Sequence, residues 1–107
     1  LIQGLSEGIA LGKKSNLNMT KVLDAISGGA AQSWQMDNRF ITMVNDEFDF
    51  GFAVDLMIKD LKIAIDHSKD IDIKLPSTKS VLRNYKKLTT LGDGRLDTSS
   101  LIKLLDK

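Results

Sequence analysis

The segment that most constrains the fold is Gly51–Asp66, which reads "GFAVDLMIKDLKIAID". Its apolar residues recur every three or four positions, the spacing of one face of an α-helix. The main stripe contains Val54, Met57 or Ile58, Leu61, Ala64 or Ile65, and ends at Ser68. A second stripe contains Leu56 and Ile63. The pattern predicts a helix from about residue 53 to about residue 71 that is covered on more than one side.

Two adjacent charges, Lys59 and Asp60, interrupt this helix near its middle. Lys59 lies four residues after Asp55, a spacing that predicts an ordinary ion pair. Asp60 differs, because the residues three and four positions away from it are all apolar, and a carboxylate in such surroundings needs a hydrogen bond or a cation. Two interpretations stay open: Asp60 bonds a neighbouring helix end or loop amide, or it orients Lys59 at a functional site.

The rest of the chain is also helical in pattern, and no stretch alternates with period two. Three caps are predicted: Asn18, Ser77 or Thr78 after Pro76, and Asp97. The predicted helices cover residues 1–14, 19–27, 30–45, 53–71, 79–91 and 98–107, with breaks at the Gly28-Gly29 pair and at "GDG". The sequence therefore predicts an all-α bundle of about six helices.

Composition narrows the class of protein. A chain of 107 residues that is 42% hydrophobic is long enough for one domain with a core. A net charge of +1 argues against a general nucleic-acid binder. The absence of cysteine excludes disulfides and zinc–thiolate sites. No apolar run is long enough to span a membrane, so we expect a soluble cytoplasmic domain without a metal site.

Isolated candidates for chemistry are weak. His67 is the only histidine, and its position predicts an exposed helical residue. Ser33 has no histidine near it in sequence that would activate it as a nucleophile. A basic row contains Lys79, Arg83, Lys86 and Lys87. Such a row is usually a solvated helix face, and anion binding is the minority interpretation.

The N-terminal segment starts in mid-pattern. The chain begins with Leu1, and its helical periodicity has no cap ahead of it, so we expect a fragment of a longer protein. Gly4, Gly8 and Gly12 recur every four residues and share one helix face. Since each glycine costs about 1 kcal/mol relative to alanine in a helix, close approach of another helix backbone is the expected compensation.

Four segments, taken together, resemble a known family. They are "SGGAAQSWQMDNR", "FGFAVDLMIKDLKIAID", "LP" and "LGDGRLDTSSLIKLL", and they occur in the expected order and at the expected separations. The whole chain is similar to the C-terminal helical domain of the β-hydroxyacid dehydrogenases, which include 3-hydroxyisobutyrate dehydrogenase and tartronate semialdehyde reductase. Phe52 with the Lys59-Asp60-Leu61 triplet is the most specific part of the match.

The resemblance implies roles for individual residues. Lys59 is expected to reach an NAD or NADP cofactor, while Phe52 and Asp60 are expected to line the substrate cleft. The implied reaction is reversible oxidation of a 3-hydroxy acid by hydride transfer. Ser33 and Trp34 match a recurring segment of the family and are assigned to packing or subunit contact.

The resemblance also implies what the chain lacks. The family's Gly-rich N-terminal Rossmann domain is not in residues 1–107, and its catalytic lysine is expected upstream of Leu1. No catalytic residue is therefore assigned here, and the isolated chain is expected to be inactive. The domain usually supplies the subunit interface, so a homo-oligomer is expected. A stand-alone helical protein-interaction module is the alternative.

Overall fold

The computed structural model describes residues 1–105 and contains five α-helices and one 3₁₀-helix. They are α1 (Ile2–Lys14), α2 (Met19–Ile26), α3 (Trp34–Val44), α4 (Val54–Asp70), α5 (Pro76–Thr90) and the 3₁₀-helix Thr98–Leu104. Among residues 1–105 there is no strand, only an isolated antiparallel bridge between Ala53 and Asp97. The predicted all-α fold is confirmed, and α4 lies within the predicted 53–71. The last two residues of the final predicted helix, Asp106 and Lys107, lie outside the described part of the chain.

The N-termini of α2, α3 and α5 show which local sequence signals are sufficient to locate the start of a helix. Asn18 caps α2 as predicted, and Ser33 caps α3 in the same way. Each side-chain oxygen accepts a hydrogen bond from the backbone N–H three residues on, at 3.1 and 3.0 Å. The predicted cap at Ser77 or Thr78 is wrong, because α5 already begins at Pro76. Proline fits the first helical position, where its missing N–H has no intrahelical partner to lose.

The ends of α1, α3, α4 and α5 share one backbone motif. The residue after each C-cap is left-handed, and two backbone bonds close the last turn in the pattern of a Schellman motif. In α5 this residue is Gly92, with φ of 90°. In the other three helices it is Asn16, Asp46 and Asp72, with φ of 56°, 61° and 53°. Asparagine and aspartate tolerate this conformation better than other non-glycine residues, so three of these ends carry no glycine signal.

The chain divides into two compact units. The first contains residues 1–48 and 99–105; here α1 packs against α2 and α3, and α2 packs against α3. Its most deeply buried side chains include Ile9, Phe40, Met43, Leu101 and Ile102. The second unit contains residues 49–98, in which α4 packs against α5. Its buried side chains include Val54, Ile58, Ile65, Leu82, Tyr85 and Leu88.

The glycine face of α1 is only partly explained by packing. A Cβ added at Gly12 would lie 2.8 Å from the sulfur of Met19, so a side chain occupies this space rather than a helix backbone. A Cβ at Gly4 or Gly8 would meet nothing within 4 Å. The predicted close approach of another helix backbone is therefore wrong for both positions in the described residues.

Candidate functional site

The three residues singled out by the resemblance are all exposed and lie in the second unit, in α4 or just before it. Phe52 is 42% exposed and comes two residues before α4. The side chains of Lys59 and Asp60, in the first half of α4, are 65% and 51% exposed. The predicted cofactor residue and the two predicted cleft residues therefore belong to one helix and the turn that precedes it.

The exposed face of α4 alternates apolar and charged side chains. We define the α4 face as Leu56, Lys59, Asp60 and Ile63, whose spacing of three and four residues places them on one side of the helix. Leu56 is 40% exposed and Ile63 is 62% exposed. The second apolar stripe predicted from the sequence therefore exists, but the prediction that the helix is covered on that side is wrong for the described residues.

Lys59 and Asp60 pair with each other. The ammonium of Lys59 lies 3.6 Å from the Oδ1 atom of Asp60. The predicted Asp55–Lys59 ion pair is wrong, because Asp55 Oδ1 instead accepts a hydrogen bond of 3.0 Å from the Thr89 hydroxyl. The side chain of Asp60 is 51% exposed and is not enclosed by its apolar neighbours, so the predicted need for a hydrogen bond or a cation does not arise. An exposed pair at this distance contributes little to stability.

The turn before α4 is held by a distant carboxylate. The side chain of Asp97, which is 1% exposed, accepts a hydrogen bond of 2.9 Å from the backbone N–H of Phe52. The N–H of Thr98 donates in turn to the carbonyl of Phe52, also at 2.9 Å. The sequence predicts Asp97 only as the cap of the following helix, and its contact with Phe52 was not predicted. No local signal marks it, because the two residues are 45 positions apart.

Gly94 provides a further constraint on the same region. A Cβ at this position would lie 2.6 Å from the Oδ2 atom of Asp55 and closer still to Oδ1. The N–H of Asp55 donates to the carbonyl of Gly94 at 2.9 Å, so the two backbones are already in contact. A Cβ here would displace the Asp55 carboxylate, so glycine is favoured by close approach rather than by an unusual φ.

We expect Gly94→Ala to lower the free energy of unfolding by about 1–2 kcal/mol, because the carboxylate of Asp55 must rotate and lose its bond to Thr89. The measurement is urea denaturation followed by circular dichroism. Gly8→Ala is the matched control: its added Cβ meets nothing within 4 Å, and alanine should stabilise α1 by up to about 1 kcal/mol. Equal effects of the two substitutions would contradict the steric argument.

The first unit carries an apolar cleft of about 360 Å³. Its lining residues are Leu1, Gly4, Leu5, Gly8, Ile9, Val22, Ile26, Ala31, Ser33, Met36 and Phe40. Gly4 and Gly8 thus border open space instead of a packed helix. Ser33 contributes to this cleft and caps α3, and both facts fit the packing role predicted for it.

The remaining candidates stay at the surface. Trp34 is 60% exposed, and the guanidinium of Arg39 lies 5.0 Å from its ring centroid, a cation–π distance. His67 and the basic row of α5 are exposed, as predicted. Within residues 1–105 no group of three or more His, Asp or Glu side chains is arranged to hold a metal ion. None of the helices in that range has both the length and the apolar character needed to cross a membrane.

These features define a small all-helical domain with an exposed helix face that mixes charged and apolar side chains. The family model described as "NAD-binding of NADP-dependent 3-hydroxyisobutyrate dehydrogenase" matches residues 1–105. The chain therefore belongs to the 3-hydroxyisobutyrate dehydrogenase family of oxidoreductases. The family resemblance and its NAD(P) cofactor are confirmed at this level.

Three relatives illustrate the similarity. An uncharacterized oxidoreductase from Shewanella frigidimarina is 45% identical over 100% of this chain and 37% of its own length. A probable mitochondrial 3-hydroxyisobutyrate dehydrogenase-like protein from Arabidopsis thaliana is 34% identical over 97% of this chain and 31% of its own length. The crystal structure of a 3-hydroxyisobutyrate dehydrogenase from Salmonella typhimurium matches with a TM-score of 0.86 and 27% identity, covering 96% of this chain and 36% of that one. The chain thus spans about a third of the length of these relatives.

Proposed function

We propose that this chain is the helical C-terminal domain of an NAD(P)-dependent 3-hydroxyacid dehydrogenase. In this proposal the domain supplies one wall of the active-site cleft and the subunit interface, and the parent enzyme reversibly oxidises a 3-hydroxy acid to a semialdehyde. The family match supports the oxidoreductase class. The absence of strands from residues 1–105 supports a placement outside the nucleotide-binding domain, because a dinucleotide-binding βαβ unit requires strands.

The description of the matched family model assigns NAD binding to this region. A helical domain meets that description without a Rossmann fold if it supplies a side chain to a cofactor held mainly elsewhere. We assign this role to Lys59. Its exposed ammonium offers three N–H donors, which suit the phosphate, hydroxyl or carbonyl oxygens of a dinucleotide.

The surroundings of Lys59 fit the same ligand. The Oδ1 atom of Asp60 lies 3.6 Å from the ammonium, and both side chains are exposed. Leu56, Ile63 and the ring of Phe52 provide exposed apolar surface that excludes water when it is covered. When bound, NAD(P) accepts the hydride from the carbon that bears the hydroxyl group. We assign Phe52 and Asp60 to the substrate side of the cleft, and the α4 face is the observation that carries the proposal.

The test is Lys59→Ala in the complete protein that contains this chain. Loss of a charge-assisted hydrogen bond, about 1.5–3 kcal/mol, should raise the Kd for NADH or NADPH by about tenfold or more. The measurement is titration of the cofactor's fluorescence. Lys69→Ala is the matched control, since Lys69 lies ten residues further along the same helix and its side chain is 65% exposed, as that of Lys59 is. It should change the Kd by less than about twofold.

Two results would contradict the proposal. One is equal cofactor affinity of the Lys59→Ala and Lys69→Ala variants, which would leave a helical interaction module as the better assignment. The other is absence of hydride transfer when the unsubstituted complete protein is given 3-hydroxyisobutyrate with NAD⁺ or NADP⁺.

A further inference from the structure

The N-terminus of α4 has no side-chain cap of its own. Its N-cap residue is Ala53, which has no side-chain acceptor for the first helical N–H groups. The segment 94–98 serves instead: the carbonyl of Leu96 accepts from the N–H of Val54, and the carbonyl of Gly94 accepts from that of Asp55, both at 2.9 Å. The start of α4 is therefore fixed by a segment about 40 residues further along the chain.

Asp97 holds one further N–H group in this region, that of Phe52, the residue before the N-cap Ala53. Backbone carbonyls hold the N–H groups of Val54 and Asp55, whereas the N–H of Phe52 is held by the buried Asp97 carboxylate. The contact is charge-assisted, and such bonds are stronger and more directional than neutral ones. The negative charge of Asp97 also lies near the positive end of the α4 dipole, an arrangement that stabilises a helix start.

We propose that Asp97 is a positioning residue for the active-site cleft. It sets the backbone of Phe52, and through that turn it sets where α4 starts and where the α4 face points. This inference rests on the proposed function, because it takes Phe52 as part of the substrate wall. Asp97 itself is buried and does not touch substrate or cofactor.

The experiment is a double-mutant cycle in the complete protein, with 3-hydroxyisobutyrate and its faster cofactor as the probe. Asp97→Ala removes the acceptor of the Phe52 N–H, while Phe52→Ala removes the ring but keeps that N–H. Asp97→Ala should raise KM for the acid about tenfold, since displacement of a cleft residue by about an ångström costs up to about 10²-fold. In the Phe52→Ala background the same change should cost less than about twofold, because coupled residues are not additive.

Three further measurements separate positioning from stability. Hydrogen exchange of the Phe52 amide should speed up at least about tenfold in Asp97→Ala, because its protecting bond is lost. Asp97→Asn keeps an acceptor oxygen, so its KM should lie closer to that of the unsubstituted protein than the KM of Asp97→Ala does. If the alanine variant does not fold, the double-mutant cycle is measured with the asparagine variant, and a smaller effect is expected. Tyr85→Phe is the matched control: it removes another hydrogen bond between elements of this unit, to the Thr98 carbonyl, and should leave KM within about twofold.

The outcomes are distinct. A normal KM in Asp97→Ala combined with a raised KM in Phe52→Ala overturns the positioning role alone. An equal effect of Asp97→Ala in both backgrounds also overturns it, because Asp97 would then act independently of Phe52. A normal KM in Phe52→Ala overturns the proposed function, and the positioning role fails with it.

Discussion

Leu88→Ala should lower the free energy of unfolding by about 3–5 kcal/mol. Leu88 is fully buried on α5, the helix that packs against α4 in the second unit. Truncation removes apolar contacts and leaves a cavity that the surrounding helices fill only partly. Since a domain of this size is stable by about 5–15 kcal/mol, the variant should be close to unfolding under mild conditions. Urea denaturation followed by circular dichroism measures the difference.

Leu91→Ala is the matched control for this substitution. It makes the same chemical change three residues further on, at a side chain that is 55% exposed. We expect a cost below about 1 kcal/mol, because little apolar area leaves water there on folding. Similar losses in the two variants would show that α5 does not support α4 through its buried face.

The parts of the fold that follow from local patterns were predictable. The period of the apolar residues defines α4, and the side-chain oxygen of Asn18 defines the start of α2. The "GDG" stop was recognisable because glycine at position 92 adopts φ of 90° without a steric cost. The same motif at Asn16 and Asp72 was not recognised, because polar residues in that conformation have no comparable sequence signature.

The residues of the candidate site come from the family resemblance, and their environment did not follow from the sequence pattern. The resemblance selected Phe52, Lys59 and Asp60, and all three are exposed in the structure, Phe52 just before α4 and the other two in its first half. The pattern alone suggested a buried Asp60, because apolar neighbours in a helix do not reveal whether another element covers them. The contact of Asp97 with Phe52 was not predicted for a related reason. Tertiary packing decides which residues far apart in sequence pair with each other, and local residue spacing does not indicate such pairs.

The second large effect concerns Tyr85, whose hydroxyl donates a hydrogen bond of 3.1 Å to the carbonyl of Thr98. Burial raises the pKa of this phenol well above its usual value near 10, and the nearby charge of Asp97 raises it further. Both effects disfavour the phenolate in the folded state. In the unfolded chain the same phenol ionises near its usual pKa.

The sign of the resulting pH dependence follows from proton counts. Above about pH 10 the unfolded state loses the Tyr85 proton while the folded state retains it, so rising pH favours unfolding. The contribution is fully present below pH 10 and is lost as pH rises towards the folded-state pKa, with a limiting slope of about 1.4 kcal/mol per pH unit.

Urea denaturation between about pH 8 and pH 11.5 measures the free energy of unfolding of the unsubstituted chain and of Tyr85→Phe. The difference between the two values should change with pH at this slope. At the lower pH the unsubstituted chain should be more stable by about 1 kcal/mol, through its hydrogen bond to Thr98. That advantage should shrink above pH 10 and then reverse. Because Tyr85 is the only tyrosine, near-ultraviolet absorbance of the phenolate reports its ionisation directly and should appear together with unfolding. Parallel stability curves, or phenolate formation in the folded chain near pH 10, would contradict the burial argument.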